Sequence, residues 1–345
     1  MPSPLTLAII GTGLVGSKLI SQIASLSSWN SKFKVVYIAS SSRSIFAPQG
    51  IDLSSWKERL LAGPVVVVDN TSSDDVASLY PHFLSRNFSV VTPNKKAYSS
   101  SLELYNQILA ASAKTGAKIF NESTVGAGLP IISTLKDLVQ TGDKVTKIEG
   151  VLSGTLSYLF NEYSPATSLS PPKSFSSVVR IAKEQGYTEP HPADDLSGFD
   201  VARKLTILSR LIPELTNALP KGYESVSITS LIPDALKSTV WSISGDEFIK
   251  KLRDFDGEFE ELRTKAAEKG EVLRYVGVID VREKTIKAAL EPYPATHPFA
   301  TSLSGSDNII AFHTERYGPR PLIVQGAGAG ADVTAMGVLA DLFKI

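Results

Sequence analysis

At 345 residues, with 35 lysines and arginines against 35 acids, the chain has room for two domains of ordinary size and carries no formal net charge. That balance argues against nucleic acid or an anionic membrane as the main partner, and a composition 43% hydrophobic and 20% charged is that of a globular protein, not a disordered one. Having no cysteine, the chain cannot build a disulfide framework, thiolate metal ligands or a cysteine nucleophile.

The first basic residue is Lys18, so no basic flank of a signal or transit peptide precedes the apolar run Leu5–Ile10, which is far too short to span a bilayer. A cytoplasmic location is expected. Strand candidates follow at 5–10, 34–39, 65–69, 89–92 and 118–120, alternating with helical stretches at 17–26, 54–62, 74–85 and 102–115. The four valines at 65–68 are continuously apolar, as in a strand covered on both faces. This alternation predicts an α/β fold whose first domain, 1–145, is a doubly wound parallel sheet of Rossmann type.

Near residue 121 the rhythm changes. The segment NESTVGAGLP is a glycine-rich crossing, with Pro130 placed to begin a helix that ends near Gly142. A strand is expected at 148–152, an exposed Pro/Ser-rich loop at 164–174, and helices at 175–185 and 201–211. A charged helical stretch at 254–269 precedes strand candidates at 272–281, 285–291, 308–313 and 322–324; QGAGAGAD then leads into a last helix at 333–343. These elements predict a second, α+β domain over 146–320 and a closing segment, 321–345. No internal repeat is visible.

GTGLVG directly follows a strand candidate and opens a helical pattern, the context a dinucleotide-binding GxGxxG requires. Gly11 permits the tight turn, Gly13 lets the backbone approach a pyrophosphate, and Gly16 lets helix and strand pack closely. With Thr12, Leu14 and Val15 they form the candidate cofactor loop, whose helix N-terminus offers free N–H groups to phosphate. The second strand ends in YIASSSRS, with Ser40 where an NAD-selective site usually has an acid and Arg43 just beyond. A 2′-phosphate meets no repulsion there and Arg43 offers it a charge, so NADP(H) is expected to be accepted. The choice between NADP(H) and NAD(H) stays open.

The substrate end is written in 187–204. On a helix after Gly198, Val201, Leu205, Leu208 and Ile212 share one arc, while Arg203, Thr206, Arg210 and Glu214 lie opposite. Lys204 falls inside the apolar arc, one turn after Asp200. A lysine there must be paired, reach a cavity or shift its pKa. Glu189, Asp194 and Asp195 precede it, and acids beside one lysine suit a substrate ammonium better than a metal; His191 lacks the spaced partners of a transition-metal site. SGT at 153–155 leads from strand to helix and can present N–H groups to a carboxylate. TPNKKA at 92–97 puts Lys95 or Lys96 at the end of the fourth Rossmann strand, which faces the cofactor crevice.

Together GTGLVG, DNTSS (69–73), TPNKKA, NESTVGAGLP, EGVLSGTLSYLFNEYS, GYTEPHPADDLSGFDVARK and QGAGAGADVTAMGVLADL resemble homoserine dehydrogenase of the short, fungal-like type, nearly end to end. The resemblance implies NAD(P)H-dependent reduction of L-aspartate 4-semialdehyde to L-homoserine, on the route to threonine and methionine. It implies Lys204 as catalytic proton donor with Lys95 as its partner, and Glu189, Asp195 and Asp200 holding the substrate amine and ordering Lys204; which of the two lysines delivers the proton stays open. Gly154, Thr155 and Tyr187 would be further substrate contacts and Thr71 a nicotinamide-side contact. It also implies a structural sodium ion at Glu122 and the backbone of Val125, Ala127 and Leu129, a homodimer formed through the second domain, and a final helix returning to the first. With no regulatory extension visible after Ile345, strong threonine feedback is not expected. The chemistry agrees: hydride arriving at an aldehyde leaves charge on oxygen, which a nearby ammonium neutralises and protonates. Two other readings remain, a two-domain oxidoreductase of another amino-acid or sugar carbonyl and a non-catalytic NADP(H) sensor.

Overall fold

Val65–Asp69 is buried at every position, and this strand of four valines and a closing aspartate stands at the centre of the first of two sheets. The structure, a computed structural model, describes residues 4–26, 32–39, 44–46, 65–167 and 171–345. The chain forms two compact units, Met1–Ser133 with Pro220–Gly222 and Gly330–Ile345, and Thr134–Leu219 with Tyr223–Ala329.

The first unit runs β1 (Leu5–Ile10), α1 (Leu14–Ser25), β2 (Phe33–Ala39), β3 (Ser44–Phe46), β4 (Val65–Asp69), α2 (Asp74–Ser78), α3 (Tyr80–Ser85), β5 (Phe88–Val91), α4 (Lys96–Ser99), α5 (Leu102–Thr115) and β6 (Ile119–Phe120). Its sheet has the order β3-β2-β1-β4-β5-β6 and is parallel except for β3, an antiparallel edge strand that the sequence pattern does not show. Strand order reverses between β1 and β4, the switch point at which open α/β sheets bind ligands. The helix expected over 74–85 is broken at Leu79. Pro81 stands at the start of α3, where its missing N–H costs nothing; inside one long helix it would remove a hydrogen bond. The helix expected at 54–62 lies outside the described residues.

The second unit contains most of α6 (Ile132–Gln140), then β7 (Val145–Val151), α7 (Gly154–Tyr163), α8 (Phe175–Glu184), α9 (Ala193–Leu196), α10 (Phe199–Ser209), β8 (Ser227–Ile228), α11 (Gly245–Leu252), α12 (Asp256–Ala267), β9 (Glu271–Asp280), β10 (Thr285–Pro294), α13 (Pro298–Thr301), β11 (Asp307–Thr314) and β12 (Leu322–Ala327). Its sheet, β12-β11-β7-β9-β10-β8, is antiparallel but for the short β10–β8 pair. Because β12 pairs with β11, residues 322–327 belong to this unit, and the chain rejoins the first unit only at Gly330, not at the expected 321. The last helix, α14 (Ala331–Leu342), buries Ala335, Val338 and Leu342 among Leu7, Ile9, Leu19, Val66, Val68 and Val91. Each full burial of a valine or leucine contributes roughly 1.5–3 kcal/mol.

In α10 the expected polar face is not polar to solvent. Thr206 and Arg210 are as buried as Leu205 and Leu208, so the helix is enclosed on almost all sides. The threonine manages this by returning its hydroxyl to the Ala202 carbonyl at 2.9 Å.

Candidate active site

The cofactor loop is shaped by close backbone packing. Gly11 has φ +92°, and a Cβ there would stand 2.9 Å from both the Asn70 carbonyl carbon and Thr71 Cγ2. A Cβ on Gly16 would overlap the Gly11 carbonyl oxygen, so α1 lies directly on the turn. At Gly13 the same atom would meet nothing within 4 Å among the described residues. Helix α1 starts after Gly13 with no acid in its first turn and, among the described residues, no capping side chain, which leaves its N–H groups and positive end open to a ligand. Both amide atoms of Asn70, beside Gly16, are buried without a partner among the described residues. An open cradle over a bare helix N-terminus, flanked by an orphaned amide, fits a dinucleotide phosphate. The Thr12 carbonyl accepts the Ser17 hydroxyl at 2.9 Å, Leu14 is exposed, and Val15 packs into the core. Ser40 and Arg43 lie outside the described residues.

Thr71 and Lys95 sit on the turns after β4 and β5 in this unit. Thr71 donates its hydroxyl to Asp69 at 2.7 Å. Lys95 caps α4, its carbonyl accepting the N–H groups of Tyr98 and Ser99 at 3.0 and 2.9 Å.

The substrate cluster lies wholly in the second unit. Lys204 is 6% exposed; its ammonium donates to the Leu152 carbonyl at 2.6 Å and stands 2.7 Å from Asp200 Oδ2. Leu152 follows β7, and the next residue, Ser153, caps α7 by accepting the Leu156 N–H at 3.2 Å. The lysine is thus anchored one residue from the helix N-terminus carrying Gly154 and Thr155. Gly154 is packed so closely that a Cβ would stand 3.0 Å from the Ser306 carbonyl oxygen. The Thr155 hydroxyl donates to the Tyr187 carbonyl at 2.7 Å, and the Tyr187 ring lies 4.7 Å from that of Tyr158.

Asp195 accepts the Glu189 N–H at 2.9 Å, so Glu189 joins the cluster through its backbone while its side chain is exposed. Burial pushes the Asp195 carboxyl up to about 6, against the lowering pull of the Glu189 N–H and the Thr155 hydroxyl; Glu189 and Asp200, both acidic, push the same way as burial. An ammonium arriving beside it would favour its ionised form. Asp194, in the first turn of α9, is exposed to solvent. Gly198, φ +80°, links this loop to α10, and a Cβ there would overlap the Tyr275 hydroxyl.

In the 122–129 turn the Glu122 carboxylate is already engaged. Oε1 accepts the Ile132 N–H at 2.7 Å, Oε2 accepts the Ser133 N–H at 3.0 Å, and Lys344 lies 3.8 Å away. Ala127 adopts φ 55° and Val125 is buried. Carboxylate and carbonyl oxygens suit a hard cation, but one bound here would share Glu122 with those N–H groups.

Sequence reasoning missed Asn70, Asp69 and the Leu152 carbonyl. Asn70 and Asp69 are readable as polar residues closing an all-apolar strand at the switch point; a backbone acceptor such as Leu152 leaves no mark in a sequence.

Comparison with known proteins covers both units. Residues 11–122 match the family model for the NAD binding domain of homoserine dehydrogenase, and residues 130–343 match that for homoserine dehydrogenase. Homoserine dehydrogenase of Schizosaccharomyces pombe is 46% identical over 98% of this chain and 94% of its own. A solved Candida auris protein of unknown function, 44% identical, superposes with a TM-score of 0.89 over 99% of this chain and 98% of that one. A hyperthermophilic archaeal homoserine dehydrogenase solved with NADPH shares the fold, with a TM-score of 0.69 at 22% identity over 98% of this chain and 96% of that one. The chain is an NAD(P)-dependent oxidoreductase. It belongs to the homoserine dehydrogenase family. No helix among the described residues is long and apolar enough to cross a membrane.

Proposed function

We propose that this chain reduces L-aspartate 4-semialdehyde to L-homoserine, on the route to threonine and methionine, with Lys204 as the proton donor. The observation that carries the reading is the Lys204 ammonium, buried and held between the Leu152 carbonyl and Asp200, an acid that in turn acts on the raised carboxyl of Asp195. A bound nicotinamide supplies the hydride. The lysine supplies charge and a proton to the aldehyde oxygen as it becomes an alkoxide, and recovers that proton from solvent. Glu189, Asp195 and Asp200 hold the substrate ammonium; Gly154 and Thr155, at the N-terminus of α7, take its carboxylate, and Tyr187 closes the set. In the first unit the 11–16 turn, Thr71 and Lys95 hold the dinucleotide, and Arg43 pairs with a 2′-phosphate, which makes NADP(H) the expected cofactor.

A sodium ion at Glu122, Val125, Ala127 and Leu129 is proposed as structural, on the chemistry of its oxygen donors. A cytoplasmic homodimer assembled through the second unit completes the reading. The test is to mix purified protein with L-homoserine and NADP+ at alkaline pH and follow reduced-cofactor absorbance. A steady rise supports the proposal; a flat trace, with cofactor binding intact, supports a sensor.

A further inference from the structure

Asp69, the last residue of β4, is 0% exposed, and among the described residues its carboxylate takes hydrogen bonds from neutral groups alone. Oδ1 accepts the Thr71 N–H at 2.8 Å and the Thr71 hydroxyl at 2.7 Å. Oδ2 stands 2.5 Å from the Tyr80 hydroxyl, which also reaches Thr92 Oγ1 at 3.0 Å, and accepts the Asn94 amide at 3.0 Å. Each oxygen thus takes an N–H, from Thr71 on Oδ1 and from Asn94 on Oδ2, beside the hydroxyls of Thr71 and Tyr80, a setting built to receive hydrogen bonds.

The network reaches further. The Asp69 carbonyl accepts the Thr92 hydroxyl at 2.7 Å, Thr92 accepts the Asn94 N–H at 2.8 Å, and Asn94 Oδ1 accepts the Lys96 N–H at 3.0 Å. Lys96 sends its ammonium away, to Asp74 at 2.7 Å. One buried anion thus joins the turn bearing Thr71 to the turn bearing Lys95.

A neutral amide would brace these turns at less cost than a buried charge, which is expensive without a cation. We propose that Asp69 is a positioning residue that also acts electrostatically, its charge favouring the cationic oxidised nicotinamide over the neutral reduced ring. The proposal rests on the placement of Thr71 and Lys95 at the nicotinamide. Oxidised and reduced rings differ by one positive charge, so a fixed anion in a low-dielectric setting attracts only the first. Holding the oxidised form more tightly makes the bound reduced cofactor a stronger hydride donor.

The test needs no turnover. Dissociation constants for NADP+ and NADPH are measured by fluorescence on the full-length protein and on the variants Asp69→Asn, Tyr80→Phe and Thr71→Val, with folding checked by circular dichroism. Asp69→Asn is expected to weaken NADP+ about fivefold or more relative to NADPH. Tyr80→Phe, which removes a neutral donor and keeps the charge, is expected to keep or strengthen the preference for NADP+. Equal weakening of both forms by Asp69→Asn overturns the proposal and leaves the placement standing, with Asp69 as a brace only. If Asp69→Asn does not fold, a loss of NADP+ preference in Tyr80→Phe overturns it instead. Thr71→Val tests the placement: weakened cofactor binding supports it, and unchanged affinity for both forms overturns it together with the proposal.

Discussion

Lys204 and Asp200 face each other at 2.7 Å across one turn of α10, the lysine side chain 8% exposed and the aspartate 48%. Exposed pairs at this spacing contribute little, but here one partner is buried and depends on the other for its charge. Replacing Asp200 by alanine is expected to lower stability by about 1–2 kcal/mol, less than for a fully buried pair because water reaches the acid. It should also reduce turnover. Urea unfolding beside steady-state kinetics checks both.

The raised Asp195 carboxyl gives a pH signature. With its value near 6 in the fold against an ordinary 3.8, the folded protein favours the protonated acid, so Asp195 costs stability as pH rises through about 6. An ammonium in the site offsets that cost, and binding it requires the ionised form. The kcat/KM for the amino-aldehyde is therefore expected to fall below about pH 6, and Asp195→Asn to remove that step from the profile.

Two glycines separate shape from chemistry. Gly16→Ala forces a methyl group onto the Gly11 carbonyl, a backbone oxygen that cannot swing aside, and should lower both melting temperature and cofactor affinity. Gly13→Ala points its methyl where no described residue stands within 4 Å and should leave the melting temperature unchanged. It is nonetheless expected to weaken the dinucleotide by about tenfold or more, the scale of one blocked phosphate contact. Calorimetry and fluorescence titration separate the two outcomes.

Arg274, 1% exposed, donates to the carbonyls of Phe160, Ser164, Leu273 and Phe299, and burial pushes it down to about 10. Two of these acceptors lie at the C-terminal end of α7, whose other end holds Gly154 and Thr155. Arg274→Met would orphan the set and is expected to cost about 3 kcal/mol or more. Chemical denaturation measures the loss.

Much of the fold and site is legible in the residues alone. Strand β4 and helix α5 are readable because apolar periodicity is a local signal, and Lys204 because its projection sets a charge among apolar neighbours. Pattern fails where tertiary packing overrides it. The spacing in α10 implies a solvated face at Thr206 and Arg210, yet both are buried; β3 and β8, too short to show a period, leave no signal. The break inside 321–345 depends on a pairing partner, β11, that no local window contains. Arg274 escapes a sequence reading because its partners are all backbone carbonyls.

The central claim is that Lys204 donates the proton. Its most direct test is the turnover number of Lys204→Met, measured with saturating NADPH and aspartate semialdehyde on protein whose fold and cofactor affinity match the wild type. A loss of about 100- to 10,000-fold is expected. Turnover within a few-fold of wild type would contradict the account and pass the role to another group, Lys95 first.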